Sequence, residues 1–256
     1  MMNKKKLAVW KFASCDGCQL SILDLEDELI PLTESISLAY FPEASSNYQP
    51  GPYDISLVEG SITTPEDLKR AEKIRADSKY LITIGACASA GGIQALRNFA
   101  DVKEFTSLIY AHPEYIKTLD RSSPIGNHVK VDFELRGCPV NKYQLLELIN
   151  SFLKDKAPNI SSDSVCVECK SKSNVCVLIT EKKPCLGPVT HAGCGAICPT
   201  YNRACFGCYG PKPGANPSSL TKTLEEYGLS SKELLRLYRN FNPEAKEFKK
   251  EAEEYE

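Results

Sequence analysis

Through the first 156 residues, short apolar runs alternate with stretches of helical period. Residues 6–12 (KLAVWKF), 35–41 (SISLAYF), 53–58 (YDISLV), 80–84 (YLITI) and 128–135 (HVKVDFEL) predict strands. The run at 80–84 is apolar almost throughout, as a parallel strand covered on both faces should be. Ile22, Leu25 and Leu29 predict a helix over 19–29 that Pro31 stops. Thr64-Pro65-Glu66-Asp67 opens a helix reaching residue 76, with a hydroxyl N-cap, proline at the first position and acids at the positive dipole end. Leu145, Leu148, Ile149 and Phe152 mark one face of a helix over 141–156. Residues 42–52, rich in Pro, Ser and Asn, predict a loop, and 101–127 a loop with at most a short helix. The alternation predicts an α/β fold: a flavodoxin-like, open and mostly parallel sheet.

After Lys156 the texture changes. Residues 157–164 read as a Pro/Ser/Asn linker. The cysteine-dense segment that follows has one short apolar run, 175–179 (VCVLI). So little core material predicts a staple such as a metal centre. Helices are predicted over 217–227, 231–240 and 243–254, the last so charged that its end should fray. Two domains follow: 1–156, the sheet, and 157–256, a loop-rich cysteine domain with terminal helices.

A 42% hydrophobic content over 256 residues is enough for a real core. The net charge of −2 carries no footprint for nucleic acid or an anionic membrane. No apolar run is long enough to span a bilayer, and Lys4-Lys5-Lys6 leads into too short an apolar run for an export signal. The expectation is a cytoplasmic protein whose thiols are not a disulfide framework.

The chain has twelve cysteines. Cys15 and Cys18, Cys87, and Cys138 each lie just beyond the carboxyl end of a predicted strand, the edge where open α/β sheets hold ligands. Four thiolates meeting there make one site. Nearest spacing divides the rest into Cys166, Cys169, Cys176, Cys185 and Cys194, Cys198, Cys205, Cys208. Four thiolates hold either a cubane iron–sulfur cluster or a structural zinc, and zinc is the commoner reading of isolated Cys-x2-Cys pairs. Two features point toward iron–sulfur. Zinc has no structural task at a sheet edge, and Cys138 and Cys198 each precede proline, as in ferredoxin cluster motifs. A zinc-stapled binding module without redox activity is the alternative. His112, His128 and His191 read as surface or loop residues, Trp10 as core, and Glu59 as a cap or loop anchor.

The segments FASCDGCQL, VEGSITT, TIGACASAGG, RGCPVNK, KPCLGPVTHAGCGAICP and ACFGCYGP occur in order between Leu7 and Gly210. Together they resemble the small, electron-transfer subunit of nickel–iron hydrogenases. The likeness is greatest to the delta-type subunit of cytoplasmic multimeric enzymes, the archaeal sulfhydrogenases or NADP-linked hydrogenases. The resemblance implies three 4Fe–4S clusters and no catalytic residue. The proximal cluster falls to Cys15, Cys18, Cys87 and Cys138, and the distal to Cys166, Cys169, Cys176 and Cys185. The medial cluster falls to Cys194, Cys198, Cys205 and Cys208. Implied partners are a large subunit carrying the nickel–iron site and a flavin/iron–sulfur, diaphorase-type subunit, with no direct membrane insertion. Membrane-linked relatives have histidine at the place of Cys166, proline near that of Cys198, and glutamate about where Leu20 stands. Respiratory-complex-type subunits resemble only the α/β half, and residues beyond Lys156 argue against that reading.

Overall fold

In the computed structural model, which describes residues 4–256, the apolar runs pair into one six-stranded sheet. Its strands are β1 (Lys5–Lys11), β2 (Ile36–Phe41), β3 (Ser45–Tyr48), β4 (Tyr53–Glu59), β5 (Ser78–Ile84) and β6 (Phe133–Leu135). They lie in the order β3-β2-β1-β4-β5-β6, all parallel except β3 against β2. Without the β3 edge this is the flavodoxin-like order expected from the pattern. Register aligns Leu7 with Ile55 and Leu57 with both Val9 and Ile82, so apolar positions stack across the central strands. The chain leaves β1 for β2 on one side and returns to β4 on the other. Between β1 and β4 the strand order therefore reverses, and a crevice opens at the carboxyl ends.

The helices of this half are α1 (Gly17–Leu23), α2 (Leu29–Ser35), α3 (Pro65–Ala76), α4 (Gly85–Ala90), α5 (Val102–Ile109) and α6 (Lys142–Leu153). The capping box of α3 forms as its sequence requires. Asp67 N donates to Thr64 Oγ1 and Thr64 N to Asp67 Oδ2, each at 3.1 Å. α6 turns Leu145, Leu148, Ile149 and Phe152 onto the sheet, the face its period predicts.

Three local expectations are corrected. Residues 19–29 do not form one helix: α1 stops at Leu23, and Pro31 is the third residue of α2 rather than a terminator. First-turn N–H groups have no partner inside the helix, so proline loses no bond there. β3 arises within the predicted loop, and its fully exposed side chains leave no apolar period to read. The last strand is shorter than predicted, because the Asp132 carboxylate, not a strand partner, takes the Leu81 N–H at 2.9 Å. The glycine-rich stretch after β5 is helical, as α4.

The second half contains α7 (Val165–Ser171), α8 (Val177–Thr180), α9 (Ile197–Thr200), α10 (Pro217–Glu226), α11 (Ser231–Tyr238) and α12 (Lys246–Glu253). It is not short of core. Val177, Leu186 and Val189 from the cysteine segment bury with Leu220, Leu224, Leu234, Tyr238 and Phe248. The terminal helices supply what the segment lacks. α12 does not fray: Phe248 and Ala252, one turn apart, are both buried. Glu244 ties this half back to the sheet, donating its N–H to Ala90 O and accepting from Asn98 Nδ2 at 2.7 Å. Among the described residues no helix is long and apolar enough to cross a membrane.

Candidate metal centres

The first four cysteines converge at the reversal point of the sheet. The chain runs from β1 through Cys15 into the first turn of α1, where Cys18 is buried. Cys87 lies in the first turn of α4, directly after β5, and Cys138 follows β6. Gly85 joins β5 to α4 at φ +86°, and a side-chain methyl there would lie under 3.0 Å from Cys18 Sγ. Only glycine lets two ligand-bearing turns approach this closely. Burial raises the Cys18 thiol pKa, and the charges of Glu59, Cys87 and Cys138 add to it. Burial also pushes Cys87 up to about 11, with Cys138 and Cys15 adding. Cys138 is raised by burial and by Cys15. Each of these thiols therefore feels the others.

Among the later eight, thiols near in sequence also act on one another. Burial pushes Cys166 up to about 11, and Cys185, Cys169 and Cys176 all add. These four thiols, with Gly187 and Pro199, line a small cavity of about 30 Å³. A methyl on Gly187 would stand 3.4 Å from Cys185 Sγ and 3.5 Å from Cys166 Sγ, so the backbone closes this cradle tightly. In the third set, burial pushes Cys208 up to about 12, with Cys194, Cys138 and Cys198 adding. Cys205 is raised by burial, then by Cys185 and Cys208.

Two contacts link the quartets. Cys208 feels Cys138 of the sheet-edge set. Cys205 N donates to Cys185 Sγ at 3.2 Å. Cys205 thus touches Cys185 directly, while Cys208 senses the sheet-edge thiol Cys138. Among the described residues no group of three His, Cys, Asp or Glu side chains is arranged to hold a single metal ion. The donor set, soft thiols gathered in groups, fits iron–sulfur clusters.

Several polar neighbours surround these sites, of which the sequence marked only Glu59. Glu59, 2% exposed at the end of β4, accepts from Cys18 N at 3.0 Å and Gln19 Nε2 at 2.7 Å, and burial raises its pKa. It does anchor a loop, the one carrying Cys15 and Cys18. Gln94 lies 3.3 Å from Cys87 Sγ and donates to Ala13 O at 2.6 Å, bridging two ligand loops. Tyr209 is buried among Cys194, Cys208, Glu168 and Cys18. Glu168 accepts from Gly193 N and Ala196 N. None lies on a period; each is brought in by a turn. The histidines stay peripheral: His112 meets Glu114, His128 meets Ser123, and His191 meets Ala192 O.

The family described as "NADH ubiquinone oxidoreductase, 20 Kd subunit" matches residues 15–152, the sheet half with its quartet. The chain is 35% identical over 236 residues to "Sulfhydrogenase 2 subunit delta" of Pyrococcus furiosus, covering 92% of this chain and 98% of the relative. It is 30% identical over 270 residues to a vhu-type chain of the F420-non-reducing hydrogenase of Methanocaldococcus jannaschii, covering 92% and 94%. A chain of the crystal structure of "NAD+-reducing [NiFe]-hydrogenase in the H2-reduced state" superposes with a TM-score of 0.57 at 25% identity. That match covers 62% of this chain and 96% of the other. The sheet topology, the ordered motifs and these full-length likenesses agree: the chain belongs to the delta-type small-subunit family of nickel–iron hydrogenases.

Proposed function

We propose that this chain is the electron-transfer small subunit of a cytoplasmic, multimeric nickel–iron hydrogenase, with one 4Fe–4S cluster per thiol quartet. Cys15, Cys18, Cys87 and Cys138 hold the proximal cluster. Cys194, Cys198, Cys205 and Cys208 hold the medial one, and Cys166, Cys169, Cys176 and Cys185 the distal. The observation that carries the reading is the line of quartets: Cys138 neighbours Cys208, and Cys205 N bonds Cys185 Sγ. Bound clusters would supply one-electron carriers in series between the hydrogen-activating site of a large subunit and an acceptor subunit.

The protein's own part is to hold, shield and orient. Glu59 and Gln94 fix the two loops that carry Cys18 and Cys87. Leu135, Val140 and Tyr209 bury the inner edge, keeping water from the proximal site. Two exposed apolar surfaces support the partner assignment. Ile93, Leu96 and Phe99 follow Cys87 directly, with Phe105 and Leu108 beyond; they suit the large subunit. Val175 and Ile179, exposed on either side of the exposed Cys176 in sequence, suit a diaphorase-type subunit. No side chain here is assigned an acid, base or nucleophile role.

Anaerobic purification tests this. Broad visible absorption bleached by dithionite, with about twelve iron atoms per chain from four per cubane, is expected. A colourless chain carrying about one zinc per Cys₄ site overturns it.

A further inference from the structure

The loop carrying Cys194 turns through positive φ at Gly193, Gly195 and Ala196 (133°, 65° and 50°). Successive residues of this kind point backbone N–H groups inward, forming a concavity that binds an anion. The anion here comes from another segment. Glu168, between Cys166 and Cys169 on α7, accepts from Gly193 N at 3.0 Å through Oε1 and from Ala196 N at 3.3 Å through Oε2. Its Oε2 stands 4.0 Å from Cys194 Sγ. One turn further along the chain, Lys172 Nζ donates to Gly195 O at 2.5 Å. Beyond α7, Asn174 Nδ2 donates to Thr200 Oγ1 at 3.1 Å. The helix that carries two thiols of one quartet, with the residues just after it, thus grips the loop of the next quartet through both its N–H and its carbonyl groups.

We propose that Glu168 is a positioning residue for the medial quartet. It locks the Cys194 loop onto α7, and its negative charge holds the reduction potential of the cluster on Cys194, Cys198, Cys205 and Cys208 below the value the thiolates alone would set. The inference rests on the cluster assignment above. Reduction adds an electron, and a fixed negative charge beside one ligand sulfur opposes that addition. The thiol its carboxylate touches is Cys194, whose pKa is raised by burial and then by this charge, so the effect centres on that thiol's cluster and not on the sheet-edge cluster, whose carboxylate neighbour is Glu59.

The test is an EPR-monitored redox titration of the intact complex, with iron counted per chain, for Glu168→Gln and Glu168→Ala. Glutamine keeps an acceptor oxygen and removes the charge. The expected result is wild-type iron and an upward shift in the midpoint potential of one cluster. Alanine removes both functions and should lose that cluster, about one third of the iron for one cubane of three. A glutamine variant with unchanged potentials, or with all clusters shifted alike, overturns the inference, as does an alanine variant with full iron at wild-type potentials. If the glutamine variant itself loses iron, Glu168→Asp decides: a retained cluster at the wild-type potential upholds a charged anchor, and a lost one refutes it. Failure of the underlying assignment looks different, since wild-type protein would then show no cluster signals at all.

Discussion

Replacing Gly85 with alanine isolates the steric demand at the sheet-edge site. Two costs apply. The first is backbone: φ is +86°, and an L-residue in left-handed conformation costs roughly 1–2 kcal/mol. The second is the collision, because the new methyl overlaps Cys18 Sγ, whose side chain is 6% exposed and has nowhere to retreat. Overpacking of this kind costs about 1–3 kcal/mol. Alanine returns roughly 0.4–1 kcal/mol by restricting the unfolded chain. The net loss is about 1–4.5 kcal/mol, centred near 3. Gly214 is the control: its φ is +66° and nothing lies within 4 Å of a methyl there. Gly214→Ala meets the backbone cost without the collision and should lose about 1 kcal/mol or less. Urea unfolding followed by far-ultraviolet circular dichroism gives both values, and visible absorption reports the cluster. Gly85→Ala should also lose much of the proximal-cluster signal, because Cys18 Sγ is pushed off its position. Equal midpoints for the two variants, with full colour in both, would refute the argument that the turn exists to let Cys18 and Cys87 approach.

Three further outcomes follow from the same packing and charge. Phe248→Ala opens a cavity where the ring lies against Tyr238 and the Gly207 turn between Cys205 and Cys208; urea unfolding should show a loss of about 3–5 kcal/mol, and a loss below about 1 kcal/mol would show that the terminal helices do not support this core. Asp155, held by Lys79 and then Lys5, has its carboxyl pKa lowered to about 2, so its stabilisation is present above the ordinary value near 3.9 and is lost as pH falls toward about 2. Wild type and Asp155→Asn should therefore differ in urea midpoint by a constant amount near neutrality and converge below about pH 4, and a gap that widens with acid contradicts the sign. Cys198→Pro should convert the medial cubane to a three-iron cluster with a new EPR signal in the oxidised state, and an unchanged spectrum would remove Cys198 from the ligand set.

Periodicity alone was sufficient to find the five parallel strands and the two best-marked helices. Parallel strands buried on both faces must be apolar throughout, and α3 and α6 carry their caps and faces within one turn of sequence. The proposed grouping of the thiols also begins in the sequence: strand ends gather the first four, and spacing, with CxxC pairs that fix two ligands within a single turn, divides the later eight. Other features depended on partners distant in the chain. β3 exists because β2 offers an open edge, and its exposed residues leave no mark in the pattern. Pro31 reads as a stop until the preceding turn makes it the third residue of a helix. The cysteine segment looks coreless until α10, α11 and α12 fold over it. The bond from Cys205 N to Cys185 Sγ spans 20 positions, and the grip of Glu168 on the Cys194 loop spans 25. A sequence records which face of an element is apolar and which residues can bind metal, because those properties belong to neighbours along the chain. Which surface covers that face, and which carboxylate faces which thiol, is decided only when segments far apart compete for the same space.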